Sequence, residues 1–264
     1  MGFFKSVKAA LVVTASGLQF ACMTPVLDAD AVSESDQLLE QASARRDLGM
    51  NYLGKGQNAI ALRELVFSVE TNPNDPITQL WLGEGYRRQG HNDLALAAML
   101  RSIELKPDFR DAHNNLAAFY IQLEDYENAI KHSQVLIDDP LYARPWKAFS
   151  NRGFAELRLG RIEDARKSLE IALEFRRGFW PASLNLGLLE HQAGQTVKAV
   201  QHFRKVIGSD VGDGPKAEAT FHVGQILVSM GHREKAMKYF AASVKTDPDG
   251  RWAMESRNYL KILR

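Results

Sequence analysis

The amino-acid sequence predicts an all-α fold, a right-handed superhelical solenoid of six helix-turn-helix repeats with a C-terminal capping helix. The first observation behind this prediction is a small residue that recurs every 34 to 37 residues. The second is an alanine twelve residues after each of these positions, six times out of six. A period of this length is typical of stacked helical repeats. The small residues are Gly49, Gly83, Ala117, Gly153, Gly187 and Gly224, and the alanines are Ala61, Ala95, Ala129, Ala165, Ala199 and Ala236.

The third observation is a turn residue between the two recurring positions. Small residues at those positions allow the two helices of a pair to approach closely. One pair cannot bury its own apolar face, so neighbouring pairs must stack on one another. Glutamate occupies the turn in the third repeat, at Glu124, and glycine occupies it in the other five, at Gly56, Gly90, Gly160, Gly194 and Gly231.

The repeats follow one another in a single domain that we expect to span residues 36–264. Prolines near the repeat ends stop the second helix of each pair. The last segment, 251–264, carries Trp252, Tyr259, Leu260 and Leu263 at helical spacing and is predicted to be the capping helix. The predicted repeat limits are about 42–75, 76–109, 110–143, 146–179, 180–213 and 217–250.

Two junctions between repeats are longer than the others. Two extra residues lie around 138–142, and three lie within 209–215. The second stretch has a faint likeness to a calcium loop, but it lacks carboxylates at alternate positions and the closing glutamate of such loops. We therefore interpret it as an inter-repeat turn.

The repeats carry a recognisable residue pattern between positions 45 and 248. This pattern resembles the tetratricopeptide signature, in which Leu-Gly, Tyr, Ala, a large apolar residue and Pro follow one another at fixed spacing. The resemblance implies the same superhelical fold. The first repeat has Leu48-Gly49, Tyr52, Gly56, Ala61, Leu65 and Pro73, and the second has Leu82-Gly83, Tyr86, Gly90, Ala95, Met99 and Pro107.

The N-terminus, residues 1–21, is predicted to be a secretory signal peptide. Lys5 and Lys8 precede an uncharged stretch, 9–21, that is too short to span a bilayer as a helix. Cys22 is the only cysteine of the chain and follows this stretch directly, as in bacterial lipoprotein signals. That resemblance implies a lipidated Cys22, acylated for example with palmitate, and residues 22–35 are then a flexible tether. The alternative is an ordinary cleaved signal with an incidental cysteine.

Catalysis and nucleic-acid binding find little support in the sequence. The net charge is +1, so there is no strong basic field for nucleic acid. A single cysteine excludes an internal disulfide and a thiolate metal cage. No phosphate-binding loop, zinc-protease motif or nucleophile elbow occurs. We therefore expect a protein that is not an enzyme and has no catalytic residue, metal site or cofactor.

The concave surface of the solenoid is the predicted site for a protein partner. In a tetratricopeptide superhelix the first helix of each pair lines this surface, and an exposed apolar strip there marks a docking site. Its occupant would be an amphipathic helix or an extended apolar segment. The alternative is that curvature or the capping helix already covers these side chains. The predicted groove residues are Ile77, Leu80, Ile121, Phe154, Leu157, Leu184, Leu188, Phe221 and Val228.

The whole arrangement resembles the type IV pilus pilotin family, which includes PilF, PilW and Tgl. The shared features are the N-terminal cysteine, six repeats after a short tether, and the third junction, where Leu141-Tyr142 and Pro145 precede a repeat helix. The resemblance implies a monomeric outer-membrane lipoprotein on the periplasmic face. It also implies that the protein binds secretin subunits and promotes their assembly into a ring.

Two other functions stay open at this point. One is a general periplasmic scaffold for envelope or cell-wall assembly proteins, on the same fold. The other is an undetected enzyme, which is disfavoured because every repeat is occupied by packing residues and none carries a catalytic insertion.

Overall fold

A computed structural model of the chain describes residues 29–263, with side chains from residue 34 onward. The predicted signal peptide and Cys22 lie outside these residues. Within them the chain forms helices and no strands. The helices are α1 (Ala29–Gly54), α2 (Asn58–Thr71), α3 (Pro76–Arg88), α4 (Asn92–Leu105), α5 (Arg110–Gln122), α6 (Tyr126–Ile137), α7 (Pro145–Arg158), α8 (Ile162–Phe175), α9 (Trp180–Gln192), α10 (Thr196–Ile207), α11 (Asp213–Ser229), α12 (Arg233–Thr246) and α13 (Arg251–Ile262).

The predicted all-α repeat architecture is confirmed. The first twelve helices form six antiparallel pairs, and α13 packs on α11 and α12. The predicted repeat limits fall in the loops between pairs or within two residues of them for repeats two to five. The N-terminal limit differs, because α1 begins at Ala29 and residues 29–35 of the predicted flexible tether are therefore helical. Residues 22–28 of that tether lie outside the described part of the chain.

Close helix crossings explain the recurring small residues. A Cβ atom on Gly83 would lie 2.6 Å from Met99 Cγ, and one on Gly187 would lie 2.6 Å from Phe203 Cε1. Non-bonded carbon atoms do not approach so closely. The six alanines twelve residues later are fully buried. Both recurring positions therefore lie where the two helices of a pair touch.

The turns inside the pairs also follow the prediction. Each of the five turn glycines has a φ between +72° and +80°, in the left-handed region that glycine tolerates. Glu124 takes the same conformation with a φ of +60°. The exception in the sequence is thus a residue that accepts backbone strain, and the turn geometry is the same in all six repeats.

The longer junctions are accommodated in different ways. Between α6 and α7, Tyr142 turns inward and is 6% exposed, and its hydroxyl donates to Asn114 Oδ1 at 3.2 Å. Between α10 and α11, the extra residues lengthen a helix, since α11 begins at Asp213 and has 17 residues. The predicted turn over 209–215 is therefore shorter than expected and ends at Gly212.

Neither membrane spans nor metal clusters are found in the described region. Within residues 29–263, every helix falls short of the length and apolar character that crossing a bilayer requires. Among the same residues, no three His, Cys, Asp or Glu side chains converge as a metal site would need.

Candidate partner-binding groove

The first helices of the pairs form the inner face of the solenoid. They contact one another directly, α1 with α3, α5 with α7, α7 with α9, and α9 with α11. The second helices of the described repeats pack between first helices instead. A layer whose members lie closer together forms the concave side of a curved stack, so α1, α3, α5, α7, α9 and α11 line the groove.

An open apolar cavity of about 350 Å³ lies on this face between α5 and α11. Four of the predicted groove residues line it, namely Ile121, Phe154, Leu184 and Leu188. The prediction is thus supported for the C-terminal half of the groove. The other lining residues are Ala118, Ser150, Asn151, Trp180, Pro181, Asn185 and Glu218.

A second cavity lies towards the N-terminus and is lined by α1, α3, α5 and α7. Ile77 and Leu80 face it together with Trp81. Ile77 is 39% exposed, whereas Leu80 is only 2% exposed and belongs mainly to the core between repeats. Lys147 and Arg144 give this end of the groove a positive character.

Three predicted groove residues do not line either cavity. Leu157 is 8% exposed and packs in the core beside Ala165 and Leu169. Phe221 is 4% exposed because α13 covers it, with the ring of Trp252 at 5.0 Å between centroids. Val228 packs against the same C-terminal cluster. Their predicted exposure is wrong, because curvature and the capping helix cover these positions.

Comparison with known proteins places the fold. Family models described as tetratricopeptide repeat match residues 82–140, 151–217 and 217–249, more than half of the chain. The chain belongs to the tetratricopeptide repeat family. Proteins of this family are generally non-catalytic scaffolds that bind other proteins. No curated protein sequence matches the chain.

Several solved structures share the arrangement of this tetratricopeptide protein. PilW, a type IV pilus biogenesis factor, has a TM-score of 0.72 and 21% identity, over 81% of this chain and 97% of its own. PilF of Pseudomonas aeruginosa has a TM-score of 0.68 and 19% identity, over 85% and 99%. A tetratricopeptide repeat protein from Parabacteroides merdae has a TM-score of 0.67 and 16% identity, over 89% and 92%. At these identities the likeness is one of fold.

Sequence reasoning missed several groove residues of this tetratricopeptide protein. Trp180 and Pro181 begin α9 and form part of the cavity wall, although their place at a helix start suggested only a boundary. Asn151 and Asn185 were also missed, because attention to apolar residues passed over polar ones. A signal was available, since both asparagines occupy the same place in their repeats.

Burial controls the charge at the α11 end of the groove. It raises the pKa of the Glu218 carboxyl, while Arg251 and a hydrogen bond from Trp252 oppose this shift. Burial also lowers the pKa of His222 to about 4, so this imidazole is neutral at pH 7. His222 lies 4.0 Å from Glu218. Glu218 therefore has only a neutral imidazole at ion-pair distance.

A third cavity, between α3 and α5, is polar. Glu84 accepts hydrogen bonds from Arg87 at 2.8 Å and from Arg88 at 2.7 Å. These two cations oppose the effect of burial and hold the pKa of Glu84 below its ordinary value. The three side chains satisfy one another, so this cavity offers fewer free groups than the apolar one.

Proposed function

We propose that this protein is a lipid-anchored scaffold of type IV pilus biogenesis, which binds secretin subunits and promotes their assembly in the outer membrane. The observation that carries the proposal is its likeness to PilW and PilF, which extends over more than four fifths of this chain and nearly all of theirs. The groove supports the same view, because its apolar side chains suit a protein segment rather than a small polar substrate.

The anchor in this proposal is Cys22, which lies outside the described residues. A lipidated Cys22 would hold the solenoid at the periplasmic face of the outer membrane. The groove could then capture a segment of each secretin subunit before the ring forms. Binding of this kind needs no catalytic residue, metal or cofactor.

The first experiment is a deletion strain in which the SDS-resistant secretin multimer is measured on gels. We expect the multimer to be lost in the deletion and restored by the wild-type gene. A Cys22→Ser variant should restore it poorly and should fractionate away from the outer membrane. An unchanged multimer in the deletion strain would contradict the proposal.

A second experiment identifies the partner directly. The tagged, membrane-anchored protein is purified from native envelopes, and co-purifying proteins are identified by mass spectrometry. Secretin subunits are expected. Cell-wall enzymes or other envelope proteins without secretin would favour a general periplasmic scaffold on the same fold.

A further inference from the structure

Three consecutive repeats place an asparagine at the same position of the groove. Asn115, Asn151 and Asn185 each lie two residues before the recurring small residue of their repeat. Asn115 lines both N-terminal cavities, and the other two line the apolar cavity. A single asparagine in a groove has many explanations, but three in register form a row of carboxamides along the inner face.

Two of these carboxamides have no hydrogen-bond partner. Asn115 accepts a long bond from Asn114 at 3.4 Å. Within the described residues, no hydrogen bond is made by the side chain of Asn151 or of Asn185. Asn185 is only 9% exposed, so its amide has limited access to water. A nearly buried polar group without a partner is costly, and it indicates that a bound molecule completes the site.

The chemistry of a carboxamide defines what it can bind. It donates from its NH₂ group and accepts at its oxygen, which matches the N–H and C=O of a peptide main chain. A helical ligand satisfies these main-chain groups internally and offers them only at its ends. An extended segment leaves them free at every residue. The row of asparagines therefore favours an extended ligand over a helix.

The spacing of the row agrees with this ligand. Packed helices lie about 8–10 Å apart. An extended chain advances about 3.3 Å per residue, so successive asparagines would meet every third residue. Between them Phe154, Trp180 and Leu188 form an apolar wall for the ligand's side chains.

The charge at one end of the cavity adds a second requirement. Glu218 closes the α11 side, and the imidazole at ion-pair distance from it is neutral at pH 7. A basic side chain of the ligand would supply the charged partner that this carboxylate lacks. Ligand and groove are then complementary in hydrogen bonding, in apolar surface and in charge.

We propose that the cavity between α5 and α11 binds an extended, apolar segment of the partner protein that carries a lysine or arginine facing Glu218, and that Asn151 and Asn185 hold this segment by its main chain. This inference deepens the proposed function and rests on it for the identity of the partner. The mode of binding itself depends only on the groove.

The test uses a phage-displayed library of random 12-residue peptides selected on the full mature protein. We expect selected peptides to carry apolar residues and one basic residue. Affinity is measured by fluorescence polarisation for Asn151→Ala, Asn185→Ala and the double variant. Each single change should weaken binding about fivefold and the pair about 25-fold, the effect of losing one and two ordinary hydrogen bonds. Asn258→Ala, an exposed asparagine of α13, is the matched control and should bind normally.

Two further measurements separate main-chain recognition from apolar contact. N-methylation of single peptide bonds should weaken binding at the positions that face the two asparagines. NMR of the bound peptide should show an extended backbone. Glu218→Gln should weaken a lysine-containing peptide more than its norleucine analogue. A helical bound peptide, equal affinity for the double variant, or failure to select any peptide would overturn the inference.

A parallel purification from envelopes distinguishes this inference from the proposed function. Secretin captured by the wild type and lost with the double variant supports both. Secretin captured equally by the two proteins overturns the main-chain mode and leaves the proposed function standing. Peptides that depend on the asparagines, without secretin capture, support the inference and contradict the pilotin-like function.

Discussion

At the scale of single residues, side-chain size decides how close the helices of a pair can come. Gly187 and Gly224 face the rings of Phe203 and Phe240, and a Cβ at either position would lie within 2.7 Å of ring carbon. Both phenylalanines are fully buried and have no room to move aside. The glycine and the large residue of each repeat therefore act as one fitted pair, and the spacing of the pair is visible in the sequence.

Gly187→Ala should destabilise the protein. An added methyl group must displace Phe203, and overpacking of a full core costs about 1–3 kcal/mol. Gly54→Ala is the matched control, because it also lies in a helix and has nothing within 4 Å of the added Cβ. The free energy of unfolding in urea should fall for the first variant and stay unchanged or rise for the second. Equal values for both would show that the crossing is looser than it appears.

A buried pair of histidines makes stability depend on pH. His113 Nε2 donates to the carbonyl oxygen of Pro107 at 2.9 Å, so its Nδ1 accepts from His132 Nδ1 at 3.0 Å. Burial and the neighbouring imidazole lower the pKa of His132 from 6.5 to about 4. The folded state therefore binds the proton less well than the unfolded state does, and stability is lost as the pH falls from 6.5 towards 4.

We expect the melting temperature to be constant above pH 6.5 and to fall steadily at lower pH. His132→Leu removes the titrating ring and should flatten this slope. His222 also has a pKa of about 4 and contributes in the same direction, so the difference between the two proteins reports on His132. The measurement is thermal unfolding by circular dichroism from pH 8 to pH 4. Identical slopes would contradict the assignment.

At the scale of helices, serine hydroxyls tie the second helix of a pair to the start of the first. Ser68 donates to the carbonyl of Ala42 at 2.8 Å, and Ser102 does so to Pro76 at 2.7 Å. Ser243 repeats the bond to Ala217 at 2.9 Å, again 26 residues apart. These serines are nearly fully buried, so their bonds also satisfy hydroxyls that would otherwise be costly.

The capping helix α13 completes the core of the last repeat. The ring of Tyr259 stacks on Phe240 at 4.6 Å between centroids and meets Phe221 at 5.6 Å. Its hydroxyl accepts a hydrogen bond from Gln225 at 3.1 Å. Without α13, the two phenylalanines would face water, and the apolar surface of the sixth repeat would be open.

Tyr259→Ala should therefore loosen the C-terminal end. Loss of a packed aromatic side chain costs about 3 kcal/mol. Because each repeat interacts mainly with its neighbours, hydrogen exchange should accelerate in α11 and α12 and stay unchanged in α3 to α6. Met254→Ala, at a side chain 59% exposed, is the control. Faster exchange along the whole chain would show that the solenoid unfolds as one unit.

At the scale of the whole molecule, ion pairs connect one repeat to the next. Arg46 donates to Asp75 at 2.9 Å, and Arg166 donates to Glu190 at 2.9 Å. Glu190 is 3% exposed, so its charge depends on Arg166. The Glu190 and Glu163 carboxylates in turn raise the pKa of Arg166. Such pairs set the rotation between repeats and thus the curvature of the groove.

Arg166→Leu should be strongly destabilising, because it leaves a buried carboxylate without a cation. Breaking a buried pair in this way costs about 3–5 kcal/mol, whereas replacing both partners with apolar residues is often nearly neutral. The double variant Arg166→Leu/Glu190→Leu should therefore recover most of the stability. Arg101→Leu removes an exposed pair with Glu104 and should change the free energy of unfolding by less than about 1 kcal/mol. Urea denaturation of the four proteins provides the comparison.

The sequence by itself determined the fold of this protein, because each close helix crossing requires a small residue opposite a large one. That requirement recurs in every repeat and leaves a period that can be read from Gly49 to Phe240. The turn at Glu124 was also predictable, since its neighbours at the same place are glycines. These features depend on residues near one another along the chain.

The groove was decided only by the tertiary structure. Leu157 and Phe221 have the same apolar character as Phe154 and Leu188, yet the first two are buried and the last two line the cavity. The difference comes from the curvature of the stack and from α13, which covers Phe221 from the other end of the repeat. Exposure depends on contacts between distant segments, and local sequence patterns do not contain that information.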